Sequence, residues 1–119
     1  MILVYADHDR GVIEPLTFQA LTFARDIDPD VHAVLIGGSS AGLNASTAAA
    51  ELGEYGAQVV HIAGLSDYSD YAPLAAARAL VTLLGSTGAQ ALIAASSPRG
   101  NEVLAHVAAI TDRPFVADC

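Results

Sequence analysis

Short apolar runs alternate with longer segments of helical periodicity along the whole chain, and this alternation constrains the fold most. The apolar runs predict five strands, at Ile2–Tyr5, Val31–Ile36, Ala57–Ile62, Ala91–Ala95 and Phe115–Ala117. Four helical segments separate them. Strands that alternate with helices form parallel sheets through right-handed crossovers, with helices on both faces. The sequence therefore predicts a three-layer α/β/α sandwich with a five-stranded, mostly parallel sheet.

The helix ends are set by proline and glycine. The first helix begins at Pro15 and ends near Asp28, which precedes a proline and so avoids the helical region. Its predicted buried stripe consists of Leu16, Ala20, Phe23, Ala24 and Ile27. The second helix is predicted over Ala45–Leu52, with Gly53 as its terminator.

The third predicted helix begins near Pro73 and is closed by Gly85 and Gly88. Its apolar face consists of Ala77, Leu80, Val81 and Leu84. The last helix is predicted over Asn101–Ile110, directly after the fourth strand and a turn of small residues. A strand, turn and helix in this order form the kind of unit in which open α/β sheets build binding sites.

Length and composition predict one domain that spans residues 1–119. Hydrophobic residues make up 53% of the chain, yet no run approaches the roughly 18 residues that a membrane span needs. The N-terminus opens on the strand Ile2–Tyr5 without a basic segment before it, so we expect no signal peptide and a cytoplasmic location. The lone Cys119 is expected to be inert, and the chain to end there at a domain boundary.

Negative charge dominates the chain. The chain contains thirteen acidic residues, five arginines and no lysine, which gives a net charge of -8. Nucleic-acid binding needs a basic patch that releases counterions, and binding to a membrane surface needs a basic amphipathic helix. We therefore expect neither nucleic-acid binding nor direct membrane contact.

The sequence lacks the residues that several common α/β binding and catalytic sites require. A P-loop needs a lysine, which this chain lacks, and a Rossmann site needs a Gly-x-Gly-x-x-Gly turn where this chain has Asp7-His8-Asp9-Arg10-Gly11. A phospho-acceptor domain needs an aspartate after the third strand, which here ends in Ala63-Gly64. A serine hydrolase needs Gly-x-Ser-x-Gly, which does not occur. No catalytic residue is predicted.

Two groups of histidines and carboxylates could hold a metal or move a proton. Asp7, His8 and Asp9 have suitable side chains, but neighbours in sequence point in divergent directions, so we interpret them as a solvated turn. His32 and His61 lie within strands and His106 within the last helix, where we expect structural, hydrogen-bonded roles. No metal site is predicted.

The turn before the last helix has two interpretations. Ser96, Ser97, Arg99, Gly100 and Asn101 combine hydroxyls, a guanidinium and a helix N-terminus, which suits an anion or a nucleotide phosphate. Alternatively, Ser97 caps the helix, Pro98 occupies its first position and Arg99 is solvated. Both interpretations stay open, with Arg99, Gly100 and Asn101 as the candidate cofactor-binding residues.

The order of these features resembles the N-terminal domain of the electron transfer flavoprotein alpha subunit over nearly the whole chain. Its start, Ala6-Asp7-His8 followed by Pro15 and the Ala20-Leu21 helix, is similar to that family's Val-x-Ala-Glu-His-x-x-Gly and Pro-x-Thr-x-x-Ala-Leu segments. Gly53-Glu54-Tyr55-Gly56-Ala57 resembles the Gly-Ala-x-x-Val region. The segments from Ser97 to Leu104 and from Phe115 to Asp118 resemble its glycine turn and terminal strand.

This resemblance implies an adenine-nucleotide-hydrolase-like strand order of 3-2-1-4-5. It implies that the chain is no enzyme but the scaffold and heterodimer domain of an electron carrier, with FAD in the full-length heterodimer and none bound by this chain alone. The implied partners are a beta subunit, dehydrogenases such as the acyl-CoA dehydrogenases of fatty acid oxidation, and a membrane-bound quinone oxidoreductase. By analogy with the AMP-binding beta subunit, the resemblance also implies a candidate nucleotide site near Asp7 and residues 96–101. The alternative is a free-standing adenine-nucleotide-binding module of universal-stress type.

Overall fold

The computed structural model describes residues 1–9, 12–36, 45–63 and 73–112. Its strands are β1 (Ile2–Tyr5), β2 (His8–Asp9), β3 (Val12–Ile13), β4 (Val31–Ile36), β5 (Val59–Ala63) and β6 (Ala91–Ala94). Its helices are α1 (Leu16–Ile27), α2 (Ala45–Glu54), α3 (Pro73–Thr87) and α4 (Pro98–Thr111). The predicted α/β class is confirmed.

The main sheet is parallel, with its strands in the order β5-β4-β1-β6. In β1, Ile2 lies beside Val31 on one side and beside Ala91 on the other, so its neighbours are β4 and β6. The described part of the sheet thus has four strands and not five, in the predicted order 3-2-1-4. The predicted fifth strand, Phe115–Ala117, lies outside the described residues.

Helices cover both faces of this sheet, as predicted. On one face, Val4 and Leu35 of the sheet pack with Leu21 of α1 and Leu52 of α2. On the other face, Leu3 and Val34 pack with Leu80 of α3 and Val103 of α4. Neighbouring strand residues point to opposite faces, so β1 and β4 are buried on both sides. The core therefore has two apolar layers with the sheet between them.

The predicted buried stripe of α1 is partly wrong. The buried residues of α1 are Thr17, Ala20, Leu21 and Ala24. Leu16, Phe23 and Ile27 of the predicted stripe are 37%, 59% and 61% exposed. Two overlapping stripes of this helix have the spacing of an amphipathic face, so periodicity could not decide between them. The stripe that contains Leu21 packs on the sheet, and the other leaves three large apolar side chains outside.

Two glycines that were predicted as helix terminators lie inside helices. Gly53 falls within α2, which runs to Glu54, and the glycine with a positive φ (110°) is Gly56. Gly85 falls within α3, whereas Gly88 adopts a φ of 68° and donates its N–H to the carbonyl of Leu84 at 3.1 Å. A glycine ends a helix where its backbone adopts the left-handed conformation, and the presence of a glycine in the sequence does not predict that conformation.

A short antiparallel ribbon occupies part of the predicted polar turn after β1. His8 pairs with Ile13 and Asp9 pairs with Val12, with only residues 10 and 11 between the two strands. The N–H of Glu14 donates to the carbonyl of Asp7 at 2.8 Å and extends this pairing. The ribbon returns the chain to the start of α1 beside the carboxyl end of β1.

Candidate functional site

The strand order reverses between β1 and β6. From β1 the chain proceeds outward through β4 to β5, and it then crosses to the opposite side of β1 to form β6. In open parallel sheets, ligands bind beyond the carboxyl ends of the strands at such a reversal. Here Asp7 follows β1, and Ser97 follows β6 at the start of α4. The predicted closeness of Asp7 and the turn at 96–101 is thus present in the structure.

Ser97 caps α4. Its backbone is extended, with a φ of -105° and a ψ of 160°, and its Oγ accepts a hydrogen bond from the Gly100 N–H at 3.0 Å. Pro98 occupies the first helical turn, so α4 begins three residues before the predicted start at Asn101. Proline is favoured there because it has no N–H to leave unpaired. This part of the capping interpretation is confirmed.

The same hydroxyl holds a buried carboxylate. Ser97 Oγ donates to Asp7 Oδ2 at 2.8 Å, and the two residues are 5% and 4% exposed. A buried carboxylate is costly unless it is hydrogen-bonded, and the nearby N-terminus of α4 supplies a favourable partial positive charge. Asp7 is therefore not the solvated turn residue that its sequence neighbourhood predicted. It links β1 to the start of α4.

Gly100 allows the turn to close tightly. A Cβ added at this position would lie 2.4 Å from the carbonyl oxygen of Ala95, closer than any side chain tolerates. The N–H of Asn101 donates to the carbonyl of Ser97 at 2.9 Å, which is an ordinary hydrogen bond of the first helical turn. In this arrangement Gly100 serves the contact between α4 and the end of β6.

Arg99 and His8 connect the turn to the β2–β3 ribbon. The Arg99 Nη1 donates to the carbonyl of His8 at 2.9 Å, so the expectation of a solvated Arg99 is wrong. The His8 Nε2 lies 2.7 Å from the carbonyl oxygen of Ile36. Because a carbonyl oxygen can only accept, this contact places a proton on Nε2. The role of Arg99, Gly100 and Asn101 in anion or nucleotide binding stays a prediction.

These residues surround a cleft of about 380 Å³. It is lined by Asp7, His8, Val12, Ile13, Glu14, Pro15, Ser97, Pro98 and Arg99. Two carboxylates and one guanidinium thus face the same space, and the Ser97 hydroxyl is engaged both as donor and as acceptor. The sequence pattern did not predict the wall from β3 to Pro15. The two-residue spacing between His8-Asp9 and the β-branched pair Val12-Ile13 is the signal that indicates this hairpin.

A second polar cluster joins β4 to β5. The His32 Nδ1 and the His61 Nε2 are 3.0 Å apart, and the His32 Nε2 is 3.1 Å from Asp30 Oδ1. Burial lowers the pKa of His61, and the neighbouring charge of His32 lowers it further. The predicted hydrogen-bonded roles of His32 and His61 are confirmed, whereas His106 is half-buried in α4. Within the described ranges, no three or more His, Cys, Asp or Glu side chains group closely enough to form a metal-ligand set.

The third candidate feature is the exposed apolar stripe of α1, formed by Leu16, Phe23 and Ile27. Large contiguous apolar patches on a protein surface commonly mark sites of protein association. In the described part of the chain, no helix combines the length and apolar character required to cross a bilayer.

Residues 2–119 match the family described as electron transfer flavoprotein domain. A search of curated proteins finds no match. The family match spans all four parallel strands and all four helices of the described structure. The chain belongs to the electron transfer flavoprotein domain family.

Proposed function

We propose that this chain is the scaffold and heterodimer domain of an alpha-type subunit of an electron transfer flavoprotein. The observation that carries the proposal is the family match over residues 2–119. The resemblance of the segments around Ala6, Gly53 and Ser97 to the alpha subunit favours alpha over beta. The assembled carrier would take electrons from dehydrogenases, such as acyl-CoA dehydrogenases, and pass them to a membrane-bound quinone oxidoreductase.

The chemistry of the cleft supports a scaffold role for this domain. A flavin dinucleotide carries a pyrophosphate, which needs uncommitted donors and positive charge. Here the Ser97 hydroxyl and the Gly100 N–H are already engaged, and the buried Asp7 carboxylate would repel a phosphate. The cleft therefore does not fit this part of FAD, and we propose that FAD is held elsewhere in the heterodimer.

The exposed stripe of α1 supports the heterodimer role. A subunit that is separated from its partner exposes the apolar surface that the partner would cover. Phe23 and Ile27 are the two most exposed large hydrophobic side chains on this helix, at 59% and 61%. We propose that a beta-type subunit covers this stripe.

The first experiment is to isolate the native product under mild conditions, record its visible absorption and identify the chains that accompany it. A flavin spectrum together with a second, beta-type subunit supports the proposal. A colourless, solitary product contradicts it.

A pair of variants then tests the stripe itself. We expect Phe23→Asp to dissociate the two subunits, because it places a charge in an apolar contact. Leu74→Asp, on α3 and 43% exposed, is the matched control and is expected to leave the complex intact. Equal effects of both variants on subunit association would contradict the assignment of this face.

The second candidate function is a free-standing adenine-nucleotide-binding module of universal-stress type. It is favoured by the position of the cleft at the strand-order reversal and by Arg99 in its wall, whereas the buried Asp7 counts against a nucleotide phosphate here as it does against the pyrophosphate of FAD. Calorimetric titration with AMP and ATP tests it. This function predicts affinity that Arg99→Ala removes and that Arg78→Ala, on the exposed surface of α3, leaves unchanged. No affinity for either nucleotide would exclude it.

A further inference from the structure

The cluster between β4 and β5 brings two imidazole nitrogens together on neighbouring strands. His32 is the second residue of β4 and His61 is the middle residue of β5, with Val34 as the register partner of His61. Their nearest nitrogens, Nδ1 of His32 and Nε2 of His61, are 3.0 Å apart. Both residues are half-buried, so water can reach the cluster while the strands fix the two backbones.

Asp30 sets the tautomer of His32. Its Oδ1 lies 3.1 Å from the His32 Nε2, and because a carboxylate oxygen accepts hydrogen bonds, this contact places the ring proton on Nε2. A neutral His32 with its proton on Nε2 has a lone pair on Nδ1, the atom that faces His61. A carboxylate behind a histidine ring is the arrangement that orients metal-binding imidazoles and raises their basicity.

We propose that His32 and His61 form a two-imidazole site for a d-block divalent cation of the copper or nickel type. Metal–nitrogen bonds of about 2.0–2.1 Å across a 3.0 Å separation correspond to an N–metal–N angle of roughly 91–97°. Adjacent positions of square-planar or tetragonal coordination have this angle, and Cu²⁺ and Ni²⁺ favour that geometry. Water fills the remaining positions at the partly exposed edge of the cluster.

The ring orientations and the tautomer of His61 adjust when the ion binds, while the two backbones stay in place. The rings are tilted by 32° to each other, with their centroids 5.2 Å apart. Rotation about χ2, which is a broad torsion for histidine, turns the two nitrogens toward a common point, and the proton of His61 moves from Nε2 to Nδ1 so that both facing nitrogens offer a lone pair to the ion. Without the ion, the same nitrogens share one proton in a hydrogen bond. This site is independent of the proposed electron-carrier function.

Titration of the full-length protein with NiCl₂ or CuCl₂ tests the site, by calorimetry and by the Cu²⁺ electron paramagnetic resonance spectrum. We expect one ion per chain and nitrogen superhyperfine structure from two imidazoles. His32→Gln and His61→Gln each remove binding at concentrations that saturate the unchanged protein. Asp30→Asn weakens it by about tenfold, because the charge behind His32 is lost. His106→Gln, in α4, is the matched control and leaves binding unchanged.

Two results would overturn the proposal. The first is an absence of binding, which would make the pair a hydrogen bond alone. The second is binding that both histidine variants retain, which would place the ion elsewhere. Circular dichroism of each variant separates loss of the site from loss of the fold, and the Asp30→Asn variant tests the site without removing either ligand.

Discussion

Two polar clusters cross-link the parallel sheet, and they differ in how deeply they are buried. Asp7 and Ser97, between the ends of β1 and β6, are 4% and 5% exposed. In the other cluster, between β4 and β5, the side chains of His32 and Asp30 are 19% and 52% exposed. Loss of a partner from a buried polar pair leaves a group that water cannot satisfy, whereas water replaces a partner at the surface. The first cluster is therefore expected to stabilise the fold, and the second to be available for chemistry.

The largest effect is expected at Gly100. In Gly100→Ala, the new methyl group meets the Ala95 carbonyl, which is backbone and cannot move aside without shifting β6 or α4. We expect a loss of about 3 kcal/mol in the free energy of unfolding, measured by urea denaturation. Gly85→Ala is the matched control: nothing lies within 4 Å of its Cβ inside α3, so a gain of about 0.5–1 kcal/mol is expected. Similar effects of the two variants would contradict the close approach.

The second largest loss of stability is expected from Ser97→Ala. It removes the cap of α4 and takes the hydroxyl donor from the buried Asp7 carboxylate. A lost cap costs about 1 kcal/mol and an unpaired buried group at least about 1 kcal/mol, so we expect a total loss of about 2 kcal/mol by the same measurement. Ser86→Ala is the control, since its exposed hydroxyl donates only to the Leu83 carbonyl at 3.3 Å. A loss as small as that of the control would mean that Asp7 does not depend on Ser97.

The position of Asp7 could be predicted from the sequence, but its burial could not. Apolar runs located the strands, but it was the strand order implied by the family resemblance that brought Asp7 near the turn after the fourth strand, because adjacent parallel strands end at the same edge. Residue type did not reveal that Asp7 is buried, since an aspartate in the polar run after β1 has the composition of a solvated turn. The exposed stripe of α1 was missed because apolar side chains occupy two overlapping faces of that helix, and only packing chooses between them.

The third prediction concerns pH and the β4–β5 cluster. Because the folded state lowers the pKa of His61 below its ordinary 6.5, the unfolded chain takes up a proton first as the pH falls. The contribution of His61 to stability is therefore fully present above about pH 6.5, and it is lost as the pH drops from there to the pKa of the folded state. His61→Gln should flatten the dependence of unfolding free energy on pH in this window, whereas His106→Gln should retain it. An unchanged slope in His61→Gln would show that the cluster does not disfavour the charged imidazole.

The smallest effect on stability is expected from Asp30→Asn. Its carboxylate is half exposed and its contact with His32 is screened by water, so we expect a loss below about 0.5 kcal/mol in the free energy of unfolding. The same variant is expected to weaken Ni²⁺ binding by about tenfold, because the carboxylate acts on His32 through its ring. A large loss of stability would place this cluster with Asp7 and Ser97 as a structural cross-link. A small loss of stability together with a large loss of Ni²⁺ affinity would show that the two clusters have different roles. A residue that only cross-links the fold changes the free energy of unfolding, whereas a residue that supports a ligand site changes the affinity for the ligand.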